Sequence, residues 1–330
     1  MMDTGRTPLP GIADIRAAAA RLEGLIVNTG LIESEFLNEK YGARILFKPE
    51  NLQRTGSFKI RGAYNKISSL PDEQRRNGVV AFSSGNHAQG VARTAQLFGI
   101  KAVIAMPSDA PFSKVDNVRR MGAEVIPFDR FGADRMAVVA PYRERGMALV
   151  PPFDDPAIIA GQGTIGLEVL EDARQKSVHI DAVIVPCGGG GMIGGISLAM
   201  KDGSPDSEIW AAEPENFDDM RRSLEAGRRM SNLPGHASIC DAILTAEPGE
   251  FTFEINRHTL AGGIAVSDDA TIEAMRDLAS ALKLVVEPGG AVGLAALGSG
   301  QVDFAGKCVV VVLSGGNVDL GSYAKIIAKS

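Results

Sequence analysis

The sequence contains few cysteines, few aromatic residues and no long apolar run, and each shortage excludes a class of protein. Its three cysteines, Cys187, Cys240 and Cys308, are an odd number without C-x-x-C spacing. This pattern predicts reduced thiols rather than a disulfide or zinc framework. No apolar run approaches the roughly 18 residues of a membrane span, and no basic-then-apolar signal opens the chain. We therefore expect a cytoplasmic protein that makes no membrane contact.

Charge and aromatic content narrow the function further. The formal net charge is −6, so no overall attraction to nucleic acid is expected. Aromatic residues make up 5% of the chain and there is one Trp, which predicts a mostly aliphatic interior. With 45% hydrophobic and 22% charged residues, the composition is that of a globular protein.

The alternation of strand-like and helix-like segments predicts an α/β fold with open, mostly parallel twisted sheets flanked by helices. At 330 residues the chain exceeds the usual size of one core, so two domains are expected. We predict a small domain at residues 52–148, built on a βαβαβ core, inside a large domain formed by residues 1–51 and 149–330, with the active site in the cleft between them. The predicted strands cover residues 79–82, 102–106 and 124–128 in the small domain, and 45–48, 181–185, 208–213, 284–286 and 307–313 in the large one; helices are predicted near 86–98 and 111–121.

Lys59 is the first candidate for chemistry. It lies in the segment SFKIRGA (residues 57–63), just after a turn signal and at the start of an apolar-periodic segment. A lysine amine can form a Schiff base with an aldehyde, and partial burial lowers its pKa toward the neutral amine this requires. Taken alone, such a lysine is more often a solvated surface charge.

Glycine- and serine-rich segments follow three predicted strands. They are residues 83–89 (SSGNHAQ), 188–191 (GGGG) and 314–317 (SGGN). Because the carboxyl ends of parallel strands meet at one edge of a sheet, these segments predict a binding site there. Successive backbone amides in the glycine run, followed by a helix N-terminus, can hold a phosphate.

The glycine run has a second interpretation. Gly189, Gly191 and Gly194 match the dinucleotide fingerprint G-x-G-x-x-G, and Glu213 follows at about the distance of a ribose-binding acid. This short segment alone leaves both interpretations open. Nicotinamide binding, however, gives no reason for the segments SFKIRGA and SSGNHAQG.

Six segments in order, SFKIRGA, SSGNHAQG, AGQGTIGLE, GGGGMIGG, AEPENFDD and LSGGN, resemble those of the fold type II pyridoxal-phosphate enzymes. This is the group of tryptophan synthase β, and the resemblance is to its serine/threonine dehydratase and serine racemase branch. It extends from about residue 12 to residue 320 and implies pyridoxal 5′-phosphate as cofactor.

The resemblance implies roles for individual residues at the cofactor. Lys59 would hold it covalently and remove the substrate α-proton, with Phe58 beneath the ring and Asn86 on the ring hydroxyl. Ser314 would face the pyridine nitrogen, where a neutral hydroxyl stabilises the ring proton less than an Asp would and so suits elimination. The phosphate would be bound by Gly188, Gly189, Gly190, Gly191 and the amide of Met192.

The resemblance also implies a substrate site. The carboxylate would be held by Ser83, Ser84, Gly85, Asn86 and His87. In racemising relatives the position of Ser84 delivers a proton to the face of Cα opposite the lysine. From the residues alone, a structural role at the helix start is more typical of His87. Arg135 either recognises a second substrate carboxylate or is a solvated helix arginine.

A divalent cation is the remaining implied ligand. The branch often binds one through two carboxylates and a main-chain carbonyl, here Glu213, Phe217 and Asp219. Oxygen ligands fit Mg²⁺, Ca²⁺ or Mn²⁺, and the other interpretation is an acidic helix start. Two positions depart from the pattern: Phe217 is bulkier than usual, and Cys240-Asp241-Ala242 replaces the usual Asp-Gly, so a residue that disfavours positive φ stands near the ring.

The function implied is an ammonia-lyase that converts β-hydroxy L-amino acids to 2-oxo acids and ammonia. Threonine, serine and 3-hydroxyaspartate are not distinguished by the motifs. A serine or aspartate-type racemase with side dehydratase activity is the alternative, and a β-replacement enzyme or a silent pyridoxal-binding protein are further ones. The partners expected are a small amino-acid substrate and further copies of the chain, as a homodimer or homotetramer.

Overall fold

The computed structural model describes residues 8–83, 85–110, 112–129 and 134–328, which form two sheets with helices packed around them. The six-stranded sheet has the order β1-β2-β10-β7-β8-β9, and the four-stranded sheet has the order β5-β4-β3-β6. Neighbouring strands are parallel in both sheets, except that β1 is antiparallel to β2. The strands are β1 Ile32–Glu33, β2 Arg44–Pro49, β3 Val79–Phe82, β4 Ala102–Pro107, β5 Glu124–Phe128, β6 Ala148–Leu149, β7 Ala182–Pro186, β8 Glu208–Pro214, β9 Gly262–Val266 and β10 Cys308–Leu313.

Helices connect most of these strands, as crossover connections between parallel strands require. They are α1 Ile12–Leu22, α2 Glu35–Tyr41, α3 Lys59–Ser68, α4 Asp72–Arg76, α5 Asn86–Phe98, α6 Phe112–Arg120, α7 Arg135–Glu144, α8 Pro156–Lys176, α9 Gly191–Gly203, α10 Asp219–Ala226, α11 Glu250–Thr259, α12 Asp268–Asp277, α13 Pro288–Gly298 and α14 Leu320–Ile327. No helix within the described ranges combines the length and the apolar character that a membrane crossing requires.

The six-stranded sheet is buried on both faces. Along β10, Val309 and Val311 contribute to the core on one face, whereas Val310 and Val312 contribute to the core on the other. This alternation follows from the period of two in a strand, and a strand buried on both faces reads as the continuous apolar run seen in the sequence. The α/β fold class predicted from the sequence is confirmed.

The predicted strands match observed strands with one exception, and three observed strands, β1, β6 and β9, were not predicted. The strand predicted at residues 284–286 is wrong: this segment has no ladder partner and is not part of either sheet. The strand β9 was missed because its two glycines, Gly262 and Gly263, disfavour a strand on propensity. Both glycines pack where a side chain does not fit, since a Cβ would lie 2.7 Å from the Trp210 ring and 2.6 Å from Arg221 Cβ, respectively.

Close helix packing explains the segment AGQGTIGLE on α8. A Cβ at Gly163 would lie 2.8 Å from the Gly195 carbonyl oxygen of α9, and a Cβ at Gly161 would lie 2.7 Å from the Arg61 carbonyl oxygen of α3. Glycine at these positions lets three helices approach at backbone distance. The contact places the start of α3, and with it Lys59, beside the sheet edges.

Candidate active site

A cleft of about 390 Å³ lies at the carboxyl ends of strands from both sheets. It is lined by residues at or just after the ends of β3, β4 and β5 of the four-stranded sheet and of β7 and β10 of the six-stranded one. The structure brings together Phe58, Lys59, Ser83, Gly85, Asn86, His87, Arg135, Gly188, Gly189, Gly190, Gly191, Met192 and Ser314 in this lining. Ser84 lies outside the described residues.

Lys59 is the first residue of α3, and its amine points into the cleft wall. The Nζ atom donates a hydrogen bond to the Pro152 carbonyl oxygen at 2.7 Å and lies 5.0 Å from the centroid of the Phe58 ring. Burial lowers the pKa of Lys59 to about 8. A substantial share of this amine is therefore neutral near physiological pH, as nucleophilic attack and proton abstraction require.

Arg61, two residues after Lys59, belongs to a buried charge network that holds α3 in place. The Arg61 guanidinium donates to Glu50 at 2.7 Å and to Glu168 at 2.6 Å. The Arg61 side chain is inaccessible to solvent. Lys48 donates to the same Glu168 carboxylate at 2.5 Å. Burial acts to raise the pKa of Glu50, but the charge and hydrogen bonds of Arg61, together with Lys48 and Thr29, outweigh it and the pKa is lowered. Sequence reasoning missed this network, although Arg61 and Glu168 both lie in the motifs it singled out.

The glycine run forms a cradle of backbone at the N-terminus of α9. A Cβ at Gly189 would lie 2.4 Å from the Phe153 ring, and Gly190 has a φ of +87° that disfavours any L side chain. The carbonyl oxygens of the two residues accept hydrogen bonds from Thr252 Oγ1 at 2.6 Å and Asn256 Nδ2 at 3.2 Å, respectively. The first amides of α9 have no acceptor within the helix, and amides of this kind can bind a phosphate.

Asn86 lines the cleft and is bonded to two residues behind it, Glu287 and Asn317. Asn86, at the start of α5, donates from Nδ2 to Glu287 Oε1 at 2.5 Å, and its Oδ1 accepts from Asn317 Nδ2 at 2.8 Å. Ser314 is buried, and its carbonyl oxygen accepts from the Phe58 amide at 3.2 Å. The loop after β10 is thus tied to the segment that carries Lys59. Glu287 was not found by sequence reasoning, since no motif marks it.

The segment after β3 carries the predicted substrate ligands. The Gly85 amide donates to Ser83 Oγ at 3.2 Å. His87 Nε2 bonds the Val150 carbonyl oxygen at 2.9 Å, and burial together with the charge of Lys59 lowers the pKa of His87 to about 3. His87 is therefore neutral and buried, which agrees with a structural role at the helix start. Arg135, the first residue of α7, is exposed at the cleft.

The Cys240-Asp241-Ala242 departure is accommodated without strain. Ala242 has a negative φ, so the conformational objection to alanine does not apply. Asp241 forms an ion pair of 2.8 Å with Lys114, and both residues line the cleft.

The predicted metal residues surround the N-terminus of α10. The Glu213 carboxylate accepts the amides of Met220 at 2.9 Å and Arg221 at 2.8 Å. Asp219 Oδ1 accepts from Asn232 at 2.6 Å, while its Oδ2 is buried without a hydrogen-bond partner in the described structure. Burial raises the pKa of Asp219 to about 7, and burial and the neighbouring Asp219 raise that of Glu213 well above its usual value. Three His, Cys, Asp or Glu side chains that could share a metal do not occur together in the described ranges.

Comparisons with known proteins agree with the geometry of the cleft. A family model described as pyridoxal-phosphate dependent enzyme matches residues 22–315. The chain is 43% identical to an L-threonine ammonia-lyase of Thermotoga maritima over 96% of this chain and 78% of the relative. It is also 43% identical to an L-threo-3-hydroxyaspartate ammonia-lyase of a Pseudomonas species, over 95% of this chain and 97% of the relative.

Solved structures show the same relationship. The structure of maize serine racemase superposes with a TM-score of 0.91 and 39% identity, covering 96% of this chain and 97% of that one. The crystal structure of a T.th. threonine deaminase superposes with a TM-score of 0.87 and 42% identity, covering 94% and 99%. This chain belongs to the family of pyridoxal-phosphate-dependent enzymes, and the predicted branch, with its dehydratases and serine racemases, is confirmed.

The residues of the cleft fit pyridoxal phosphate. The glycine run packs so closely against Phe153 and Asn256 that side chains would not fit, and it ends at the N-terminus of α9, where backbone amides can hold a phosphate. An amine with a lowered pKa lies in the same cleft, at Lys59. The dinucleotide interpretation of the glycine run is therefore not needed.

Proposed function

We propose that this protein is a pyridoxal-phosphate-dependent ammonia-lyase that converts β-hydroxy L-amino acids to 2-oxo acids and ammonia. The observation that carries the proposal is the joint presence in one cleft of the Lys59 amine, the glycine cradle and the Ser314 hydroxyl. The names of the ammonia-lyase relatives support it. The bound cofactor would supply an electron-withdrawing ring that weakens the Cα–H bond of the substrate.

The protein's own groups would divide the work. Lys59 would hold the cofactor covalently, with Phe58 beneath the ring, and would then accept the α-proton on the neutral amine. Gly188, Gly189, Gly190, Gly191 and Met192 would bind the phosphate, and Asn86 the ring hydroxyl. Ser83, Gly85 and Asn86 would orient the substrate carboxylate, together with Ser84. Ser314 would face the ring nitrogen with a neutral hydroxyl, which suits departure of the β-hydroxyl over a long-lived carbanion.

Product analysis tests the proposal. The enzyme loaded with pyridoxal phosphate is incubated with L-threonine, L-serine and L-threo-3-hydroxyaspartate, and 2-oxo acid and ammonia are measured together. We expect equal amounts of both products from at least one of the three. Incorporation of an added thiol in place of the hydroxyl would indicate β-replacement instead. Absence of both products from all three substrates would contradict the proposal.

The three substrates also test Arg135. Arg135 lines the cleft and its side chain is exposed, which supports recognition of a second substrate carboxylate. If it has that role, Arg135→Ala raises KM for 3-hydroxyaspartate while leaving KM for threonine unchanged. An equal change for both substrates would leave it a solvated arginine.

A racemase is the second candidate, supported by the similarity to maize serine racemase. Racemisation needs an acid on the face of Cα opposite Lys59, and Ser84 is the residue proposed for it. Ser84→Ala should abolish interconversion of L- and D-serine while a measurable share of pyruvate release remains. Equal loss of both activities would make Ser84 chiefly a carboxylate ligand.

We further propose that Glu213, Asp219 and the carbonyl of Phe217 bind Mg²⁺, Ca²⁺ or Mn²⁺. Two buried carboxylates with raised pKa values, one with an unpartnered oxygen, support a cation between them. Because an ion that binds only the folded state stabilises it, chelation should lower the melting temperature, and added cation should restore it. An unchanged melting temperature after exhaustive chelation would favour the acidic helix start.

The remaining proposals concern the setting of the enzyme. Cys187, Cys240 and Cys308 are free thiols, and this supports a reducing compartment such as the cytoplasm. All four strands of the smaller sheet fall between residues 79 and 149, which supports a small domain at 52–148 within a large one at 1–51 and 149–330. A homodimer or homotetramer is proposed as the assembly, to be tested by light scattering.

A further inference from the structure

Glu287 is a buried carboxylate beside the cleft that the proposed chemistry does not use. It is 1% exposed and directly precedes α13. Its Oε1 accepts from Asn86 Nδ2 at 2.5 Å, whereas its Oε2 is buried without a hydrogen-bond partner within the described ranges. A buried carboxylate held by one side-chain amide is costly, and such a cost points to a role other than packing.

Backbone contacts hold this carboxylate against the loop that carries Ser314. The Glu287 amide donates to the Gly315 carbonyl oxygen at 3.1 Å. A Cβ at position 315 would lie 2.2 Å from Glu287 Oε1, so only glycine lets the carboxylate reach its place. The absence of a side chain at Gly315 thus leaves room for the Glu287 carboxylate.

The contacts of Glu287 determine which way the Asn86 amide points. An ionised carboxylate accepts hydrogen bonds and cannot donate them, so Asn86 must turn its Nδ2 toward Glu287. Asn317 Nδ2 donates to Asn86 Oδ1 at 2.8 Å, and Asn317 is itself anchored by the Thr55 carbonyl oxygen at 2.7 Å. One N–H of the Asn86 amide is then left over, and Asn86 lines the cleft.

Charged groups near Glu287 come from two other segments. Lys114 of α6 lowers the pKa of Glu287, Asp241 raises it, and these two form an ion pair with each other. Burial is the largest influence, and the balance raises the pKa of Glu287 to about 7. The ionised form, which sets the Asn86 orientation, is therefore in exchange with the protonated form near neutral pH.

We propose that Glu287 is a positioning residue that holds the Asn86 amide with its free N–H toward the ring oxygen of the bound cofactor. The inference rests on the proposed function, because it assumes pyridoxal phosphate in this cleft. Glu287 does not touch the reacting atoms and acts through Asn86. The contact also joins the two sides of the cleft, since Asn86 follows the four-stranded sheet and Glu287 packs on the six-stranded one.

A double-mutant cycle on cofactor affinity tests this assignment. The Kd for pyridoxal phosphate is measured by visible absorbance for the wild type, Glu287→Ala, Asn86→Ala and the double variant. Losing a hydrogen bond to a charged group predicts a Kd about tenfold or more higher for Glu287→Ala. If Glu287 acts through Asn86, the double variant binds no more weakly than Asn86→Ala alone.

Asp277→Ala is the matched control. Asp277 is also a buried carboxylate, bonded by Lys40 and Tyr41 away from the cleft. Its loss should lower the melting temperature, leave the Kd at the wild-type value and add independently to Asn86→Ala. Additive losses for Glu287→Ala and Asn86→Ala would overturn the inference, as would a wild-type Kd for Glu287→Ala.

Glu287→Gln keeps the test valid if the alanine variant does not fold. Glutamine retains the shape and one acceptor oxygen, so the Kd should stay within about threefold of wild type. Because glutamine resembles the protonated carboxyl, the Kd of the wild type should rise only to the Glu287→Gln value, by up to about threefold, as pH falls through about 7, and Glu287→Gln should lack this rise. A rise of equal size in both would overturn the inference. A wild type that binds no pyridoxal phosphate would instead refute the proposed function.

Discussion

At the scale of single residues, the partner of a buried cation decides whether it can react. Lys48 is buried and Lys59 is half-buried at the cleft, but Lys48 donates to the Glu168 carboxylate, whereas Lys59 donates to the carbonyl oxygen of Pro152. A carboxylate stabilises the charged amine and a neutral carbonyl does so far less. Burial therefore lowers the pKa of Lys59, whose hydrogen-bond partner carries no compensating charge.

Lys59→Ala should eliminate the visible absorbance of the bound cofactor and lower turnover by about 10³-fold or more, because both attachment and proton removal need the amine. Lys66→Ala is the control, since Lys66 lies on the same helix and pairs with Asp155 at 2.6 Å outside the cleft. It should retain absorbance and turnover. Turnover by purified Lys59→Ala would contradict the assignment.

The lowered pKa of Lys59 predicts how cofactor attachment depends on pH. The neutral amine is the minor form below about 8 and the major form above it. The rate at which the cofactor-free protein acquires its visible absorbance should therefore rise from about pH 6 and level off above about pH 8 to 9. Stopped-flow absorbance measures it. A rate that keeps rising up to the pKa of a free lysine would show that the amine is not buried.

At the scale of elements, the glycine cradle depends on a helix distant in sequence. The carbonyls of the glycine run are bound by Thr252 and Asn256 of α11, and α11 in turn is capped by Asp154, which accepts the amides of Glu250 and Phe251 at 2.9 Å each. Capping satisfies amides that the helix leaves free. The proposed phosphate site is thus at the start of α9, just after β7, and the start of α11 supports it.

Gly190→Ala should weaken pyridoxal phosphate binding. The new Cβ would lie 2.7 Å from Met220 Cε and 2.8 Å from Asn256 Nδ2, at a φ of +87°. Gly227→Ala is the control, because it has a φ of +66° but nothing within 4 Å of its Cβ. Both variants should be less stable by about 1 kcal/mol from backbone strain. Only Gly190→Ala should raise the Kd, and equal Kd values would exclude the cradle as the phosphate site.

Asp154→Ala should lower the free energy of unfolding by about 0.5–2 kcal/mol, the usual effect of losing a helix cap. It should also raise the Kd for pyridoxal phosphate, because α11 supports the cradle. Asp319→Ala removes the cap of α14, where Asp319 accepts the Ser322 amide at 2.9 Å. That variant should change stability alone. Denaturant unfolding and absorbance titration separate the two effects.

At the scale of the whole molecule, the two sheets meet at one cleft. The helix α3 links them in sequence, and a buried charge network fixes its position. Arg61 of α3 is bonded to Glu50 after β2 and to Glu168 of α8. Glu50 also accepts a hydrogen bond from Thr29. A network with every charge compensated fixes geometry without a large net gain in stability.

Arg61→Met should therefore destabilise the protein by about 3–5 kcal/mol, since it leaves Glu50 buried without its countercharge. Arg16→Met is the control: Arg16 pairs with Asp202 at 2.8 Å, but both side chains are exposed, and surface pairs contribute little. Denaturant unfolding at neutral pH should show a large shift of the midpoint for the first variant and none for the second. Equal midpoints for the two variants would mean that Glu50 does not depend on Arg61 for its countercharge.

What the sequence alone determined is local. Lys59, the glycine run and the segment at Asn86 each lie at the junction of a strand or turn and a helix start, where the chemistry depends on residues that are neighbours in the chain. Most strands were predicted because a strand buried on both faces is a continuous apolar run. The fold class, the family and the cofactor followed from these segments together.

What only the tertiary structure decided depends on residues that are distant in sequence. Glu287 meets Asn86 across 201 positions, and Arg61 meets Glu168 across 107. The strand β9 was missed because it contains two glycines, which local propensity disfavours in a strand. The reason for these glycines is the packing of Trp210 and Arg221 against them, which exists only in the folded chain. Residues 284–286 failed as a strand because a strand needs a ladder partner, which local propensity does not provide. A pKa, likewise, depends on burial and on surrounding charge, so which lysine is reactive was settled by the fold.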